Sequence, residues 1–326
     1  MESSNWIQTY YELLNRPRRQ DMQIQEALEL RDRYLPVSLY RYRSFDADGY
    51  SVKNLQDRVI WLNSPLNFND PFDSVLSLSA DILFQEGFAQ NVSALLTEPP
   101  WDTTLDAGRK ETILKSLDPF RTFAEIAVKL SNDTRVPFEL QVEILLSTIQ
   151  KEHEETEDQL NQTLRDNLSV CCFSEKDDSV LMWSLYSERH TGFCVEYSTW
   201  HMRPPDEIGF IHPVNYRKDL IDVTAYFRSS IRNGRLDPDY NNWMATIASC
   251  HKSPEWAYEK EWRYIFPGKR ATIPMPAQKI IMGARISSEN RAKLLAIAKE
   301  QRIRILECSL ARPEFKLQIT PFHDNP

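Results

Sequence analysis

The stretch Val37-Ser38-Leu39-Tyr40-Arg41-Tyr42-Arg43 alternates between two sets of side chains and is bounded by Pro36 and Asp46, which reads as a β-strand. Alternation places Tyr40 and Tyr42 on one face, and Leu39, Arg41 and Arg43 on the other. An arginine among core-type residues is either a binding group or a buried partner of a carboxylate. Before this strand, Trp6, Tyr10 and Leu14 mark a short amphipathic helix ended near Arg16-Pro17, and a second helix carries Ile24, Leu28 and Arg31 on one face. After it, Val59-Ile60-Trp61-Leu62, Val170–Ser174 and Gly192–Tyr197 read as strands, the last two separated by a helical Ser179–Tyr186. Lys279–Gly283 is another strand, Ser287-Ser288-Glu289 opens a helix to about Lys299, and Arg304–Leu310 with Phe315–Thr320 forms a hairpin. The pattern is α+β. N-terminal helices over residues 1–35 precede a core domain, 36–326, whose sheet is interrupted by a helical insertion at 81–168.

That insertion is acidic. Asp81–Leu168 holds 17 acidic and 8 basic residues, a net charge of −9; against 47 acidic and 39 basic in all, the rest of the chain is near neutral. Phe138, Val142, Leu145 and Ile149 recur at helical spacing, and Leu160, Leu164 and Leu168 continue it. Lys151–Asp158 between them is a solvated helix face or an exposed connection. An acidic helical insert facing water is the plain reading; a protein partner docking on it is the other.

Composition excludes several chemistries. Only 8 of 326 residues are glycine, and no two lie within fourteen positions of each other. The dinucleotide fingerprint, the P-loop and the nucleophile elbow all need paired glycines, so any nucleotide must be held by side chains and isolated backbone donors. Five cysteines (171, 172, 194, 250 and 308) include no C-x-x-C pair, so neither a disulfide framework nor a zinc site is indicated. His190 and Cys194, four apart, lack a third ligand, and no metal is expected. Met1–Trp6 lacks the basic start and apolar run of a signal peptide. No apolar stretch approaches the ~20 residues of a membrane span, so a cytoplasmic protein without a membrane partner is expected.

Four clusters mix polar and aromatic residues at element ends. Leu39–Ser44 is the first, and Ser64-Pro65-Leu66-Asn67-Phe68-Asn69-Asp70-Pro71-Phe72-Asp73 the second; there, Asn67, Asn69 and Asp70 bond their own backbone and Pro71 stiffens the turn. Such a turn either presents polar groups to a ligand or is merely well capped. Cys172–Glu175 leading to Met182-Trp183-Ser184-Leu185-Tyr186 is the third; Trp183 and Tyr186 share a helix face, as core or as a stacking platform. The fourth is Trp256-Ala257-Tyr258-Glu259-Lys260-Glu261-Trp262-Arg263-Tyr264. On a strand, Glu259, Glu261 and Arg263 share a face, which suits acid–base work or a structural ion network.

Together these clusters resemble bacterial domain-of-unknown-function family 2971. Tyr40-Arg41-Tyr42-Arg43 and Phe68-Asn69-Asp70-Pro71-Phe72-Asp73 look like its opening signature; Phe173-Ser174-Glu175, Met182-Trp183-Ser184, Gly192–Tyr197 and Glu259-Lys260-Glu261-Trp262-Arg263 look like the rest, over about Leu39 to Leu317. More distantly, the order Arg41, Ser174, Glu259-Lys260-Glu261 resembles ADP-ribosyltransferases of the Arg–Ser–Glu toxin type. That resemblance implies a split sheet, mixed or antiparallel, which binds NAD as substrate without a glycine-rich loop. It implies Glu261 as the catalytic residue, Glu259 as its helper and Ser174 as the group orienting Glu261. The pyrophosphate falls to Arg41, and Tyr40, Tyr42, Ser64, Asn69, Asp70, Trp183 and Tyr186 line the cofactor site, with Tyr42 or Trp183 stacked on nicotinamide. The implied function is transfer of ADP-ribose to an unknown macromolecular acceptor, in a toxin or defence effector. Two alternatives stand beside it. One is a metal-dependent nuclease built on Asp70, Glu259 and Glu261; the other is a non-enzymatic sensor or protein-interaction module.

Overall fold

Eight strands form one mixed sheet in the computed structural model of the protein, which describes residues 5–202, 211–232, 235–236 and 239–323. Met1–Ser4, Gly209 and Gly234, used in reading the sequence, lie outside those residues. The chain divides into two compact units, one of Met1–Val75, Leu164–Ile221 and Asn241–Pro326, the other of Leu76–Thr163 and Asp222–Tyr240. Residues 1–35 fall within the first unit, and the second takes in 222–240 besides 81–163.

The sheet lies in the first unit. Its strands are β1 (Ser38–Arg43), β2 (Leu168–Ser174), β3 (Phe193–Ser198), β4 (Ile211–Pro213), β5 (Glu261–Pro267), β6 (Lys279–Met282), β7 (Arg304–Ala311) and β8 (Lys316–Pro321). Their spatial order is β8-β7-β6-β3-β1-β2-β5-β4, with β6 and β7 parallel and the other neighbours antiparallel. Alternation divides the side chains between two apolar clusters. Leu39, Phe173, Val195, Trp262 and Ile280 pack with Leu294 and Ile297 of helix α4 (Ser288–Gln301). Tyr42, Cys194 and Ile281 pack with Met182 and Trp183 of α3 (Val180–Tyr186). Helix α1 (Asn5–Leu14) precedes α2 (Ile24–Tyr34). The Tyr10 hydroxyl lies 2.7 Å from His212 Nδ1, and Tyr11 donates to the Pro213 carbonyl at 2.6 Å, which pins α1 to β4.

One ladder is interrupted. Strands β1 and β2 pair only at Tyr40 and Ser174. The same register would set Arg41 against Phe173 and Arg43 against Cys171, but neither pair forms. The sheet is continuous through Tyr40 and Ser174, and the edge between β1 and β2 is open beyond that pair.

In the second unit, Val92, Leu96, Leu105 and Ile113 form an apolar cluster with Phe88, Trp101 and Phe123 packed against it. The helix Phe138–Asp166 runs unbroken through the acidic run, so Lys151–Asp158 is a helix face and not a connection. Leu168, expected as a helical residue, opens β2 instead, because the helix stops at Asp166. Among the described residues no helix is long and apolar enough to cross a membrane.

Candidate functional site

A cavity of about 220 Å³ opens at the gap between β1 and β2. All four residues from Tyr40 to Arg43 line it, although alternation aims them to opposite faces, since the edge between the strands is open there. Phe68, Asn69 and Asp73 come from the loop after Pro65–Asn67, Ser174 from β2, Met182 and Tyr186 from α3, Glu259 from the turn before β5 and Glu261 from its first position. Residues as far apart as Arg41 and Glu261 thus face one hollow. The ladder explains it: Tyr40 pairs with Ser174 and Ser174 with Glu261, so the three stand at one level across adjacent strands.

The carboxylates reach the site by a route other than strand alternation. Ser253 caps the turn Pro254–Glu259 by accepting from the Glu255 N–H, with Pro254 at its first position. Lys260 then takes a left-handed conformation, φ +47°, and β5 begins only at Glu261. Glu259 is thus on a 3₁₀ turn and not a strand. What brings it beside Glu261 is Lys252, whose Nζ donates to Glu259 Oε2 at 2.6 Å and to Glu261 Oε2 at 3.0 Å. Lys252 is fixed by a short parallel pairing of His251–Lys252 with Asn215–Tyr216.

A buried charge network surrounds this lysine. Arg263 forks onto Asp73 at 2.6 and 2.7 Å, and its Nε donates to Glu261 Oε1 at 2.8 Å. Lys252 also lies 3.6 Å from Asp73. The Tyr186 hydroxyl donates to Glu259 Oε1 at 2.6 Å. Three carboxylates and two cations are therefore linked out of water, and the two glutamates separate electrostatically. For Glu261, burial favours the neutral acid, but Arg263 and then Lys252 outweigh it and hold the carboxyl at about 2. For Glu259, burial pushes the carboxyl up, and Glu261 adds to the rise while Lys252 offsets part of it. Glu261 is thus held as an anion, while burial and Glu261 leave Glu259 the more easily protonated of the two.

The opposite wall is cationic. Arg43 donates to the Ser51 hydroxyl at 3.1 Å, and burial together with the neighbouring Arg41 lowers its guanidinium to about 10. Among the described residues neither arginine is ion-paired to a carboxylate, although both line the cavity. Two adjacent guanidiniums at one opening call for an anion.

Residues 182–264 match the family model described as Protein of unknown function (DUF2971). The match takes in Met182, Tyr186, Lys252, Glu259, Glu261 and Arg263 of the site, but not the β1 arginines. The chain matches no curated protein and no solved structure.

Several expected roles need correction. Ser174 does not touch the Glu261 carboxylate: its hydroxyl donates to the Glu259 carbonyl at 2.6 Å and accepts from the Lys176 N–H, so it secures the turn and not the acid. Trp183 is fully buried, gives its indole N–H to the Asp177 carbonyl at 2.7 Å and meets Tyr42 edge-on, which leaves no face for a ligand. Ser64 caps the turn at Leu66 and donates to the Arg165 carbonyl, outside the cavity. Asp70 accepts from the Phe72 N–H and faces a second cavity. Tyr40, Arg41, Tyr42, Asn69, Tyr186, Glu259 and Glu261 do line the first. Sequence reasoning missed Lys252 altogether, and read Asp73 as a turn residue or, with Asp70, as a metal ligand, not as the partner of Arg263. The structure brings Arg43 into the cavity beside Arg41. Nothing local marks Lys252, a lone lysine between a histidine and a Ser-Pro turn.

Proposed function

We propose that the cavity between β1 and β2 binds the phosphate and nicotinamide-ribose end of an NAD-type dinucleotide, and that the carboxylate pair beside it works on the glycosidic bond. The observation that carries this reading is the pairing of two arginines free of carboxylate partners with a buried glutamate, its carboxyl pushed up, in one hollow. A phosphate would satisfy Arg41 and Arg43. At about 220 Å³ the cavity is smaller than the ~300–1,000 Å³ of drug-sized sites, so the rest of the ligand would extend beyond it.

In the reaction proposed, nicotinamide leaves with the electron pair of its bond to C1′ and the ribose becomes oxocarbenium-like. An acceptor oxygen or nitrogen then bonds C1′ and loses its proton. The charges favour Glu259 for contact with the reacting atoms, reversing the order implied by the resemblance. Both oxygens of Glu261 are already held by cations, so its pull on a developing positive charge is largely spent. Glu259 keeps one oxygen on a neutral donor, Tyr186. With its raised pKa it can take the acceptor's proton. Glu261 is then the positioning residue, anchoring Lys252 against Glu259. The further idea of a toxin or defence effector rests on the motif resemblance alone.

The nuclease reading would put a divalent ion on Asp70, Glu259 and Glu261, but Asp70 faces the second cavity and both glutamates already bind Lys252. Calorimetric titration of NAD tests the proposal. The wild type should bind, and Arg41→Ala should weaken binding about tenfold to a hundredfold, the worth of a hydrogen bond to a charged group. Absence of binding would return the protein to the sensor or interaction-module reading.

A further inference from the structure

A second, larger cavity of about 630 Å³ lies in the same unit and shares Asn69 and Lys252 with the first. Its walls are aromatic. Phe72 is 69% exposed, and the half-buried Trp256 has the Lys252 ammonium 4.9 Å from its ring centroid. Two large aromatic side chains left open around one hollow point to a flat ligand. The rim carries both signs. Arg217 and Lys218 are exposed, as are Asp219 and Glu255, and none of the four forms an ion pair among the described residues.

We propose that this cavity takes the base of a phosphate-bearing nucleoside, stacked on Trp256 and Phe72, with its phosphate at Arg217 and Lys218. The lining holds three cations (Arg217, Lys218 and Lys252) against three carboxylates (Asp70, Asp219 and Glu255). It therefore selects neither anions nor cations as a class. What it offers is two open aromatic side chains, Phe72 and Trp256, with groups of both signs beside them. A nucleotide is complementary on all three counts: the ring stacks, the phosphate meets a cation, and an exocyclic amine donates to a carboxylate. The volume falls within the range of ligand-sized sites. The base and phosphate could belong to a free mononucleotide or to the end of a single-stranded nucleic acid. Binding here stands on these residues and does not depend on what fills the first cavity.

The test uses AMP and a short single-stranded RNA as probes, titrated by calorimetry into the full-length chain. An Arg41→Ala background weakens phosphate binding at the first cavity by the factor of about ten to a hundred expected above. In that background at least one probe should still bind, and adding Trp256→Ala should weaken it on the order of tenfold or more, while Trp256→Phe retains most of it. AMP binding at least as tight as the RNA indicates a free nucleotide; tighter RNA binding indicates a nucleic-acid end. Should Trp256→Ala fail to fold, the exposed pair Arg217→Ala/Lys218→Ala decides, a tenfold loss supporting the site and unchanged affinity overturning it. No binding of either probe, or binding abolished by Arg41→Ala alone, would also overturn it.

Discussion

Replacing Lys252 by methionine removes the ammonium that Glu259 and Glu261 share, at 2.6 and 3.0 Å. Glu261 keeps Arg263 at 2.8 Å, so Glu259 alone is left buried without a cation. Breaking such a pair costs about 3–5 kcal/mol, but the carboxyl can escape by taking up a proton. From its ordinary pKa of 4.5, that escape costs about 1.4 kcal/mol per pH unit above 4.5. Proton uptake therefore sets the ceiling, at about 3 kcal/mol at pH 7 and under about 1 kcal/mol at pH 5. The sign follows from a folded-state pKa raised above the unfolded one: the variant is least impaired in acid and loses stability against the wild type as pH rises. Urea unfolding at the two pH values measures it. The double variant Lys252→Met/Glu259→Gln has no charge left to bury at position 259 and should recover most of the loss at pH 7. Equal destabilisation at pH 5 and 7, or no recovery in the double variant, would refute the reasoning.

Three other outcomes follow from the same structure. Tyr186→Phe removes the hydroxyl 2.6 Å from Glu259 and with it a donor to the ionised form, so the acid limb of a pH–activity profile should move to higher pH while melting temperature changes little. Gly283→Ala would place a Cβ 2.2 Å from the His190 carbonyl oxygen and 2.6 Å from that of Gly192; it should destabilise by about 3 kcal/mol or more, whereas Gly87→Ala, with open space around it in the helix Ala80–Leu95, should stabilise by about 0.5–1 kcal/mol. His251 is held neutral by burial, with its pKa lowered from 6.5 to about 4; its contribution is present above pH 6.5 and falls away as pH drops toward 4, by about 3 kcal/mol in all, a slope that unfolding curves should lose in His251→Gln.

The strands were legible where the signal is local. Alternation from Leu39 to Arg43 and the hairpin of β7 and β8 are written in neighbouring residues, and the helix ending near Arg16-Pro17 shows its apolar spacing and its stop. The short pairing of β1 with β2 was not legible from spacing, because it concerns which residues fail to pair. Glu259 was misplaced because Lys260 adopts the left-handed conformation without the glycine or asparagine that usually flags one. Lys252 and Asp73 escaped for a related reason. Each sits at the edge of a short turn, and only Arg263, Glu259 and Glu261 give it a role, across up to 190 positions of chain. Trp183 was visible as an aromatic on a helix face, but periodicity alone does not say whether that face is buried.

Nicotinamide release from NAD tests the account most directly. Wild-type protein, given cell extract as a source of acceptor, is followed by chromatography beside Glu259→Gln and Glu261→Gln, with melts to verify folding. The account predicts time-dependent release by the wild type, and a loss on the order of 10²–10³ in Glu259→Gln, as for removal of one electrostatic stabiliser. Absence of release from the wild type, or full activity in a folded Glu259→Gln, would contradict it.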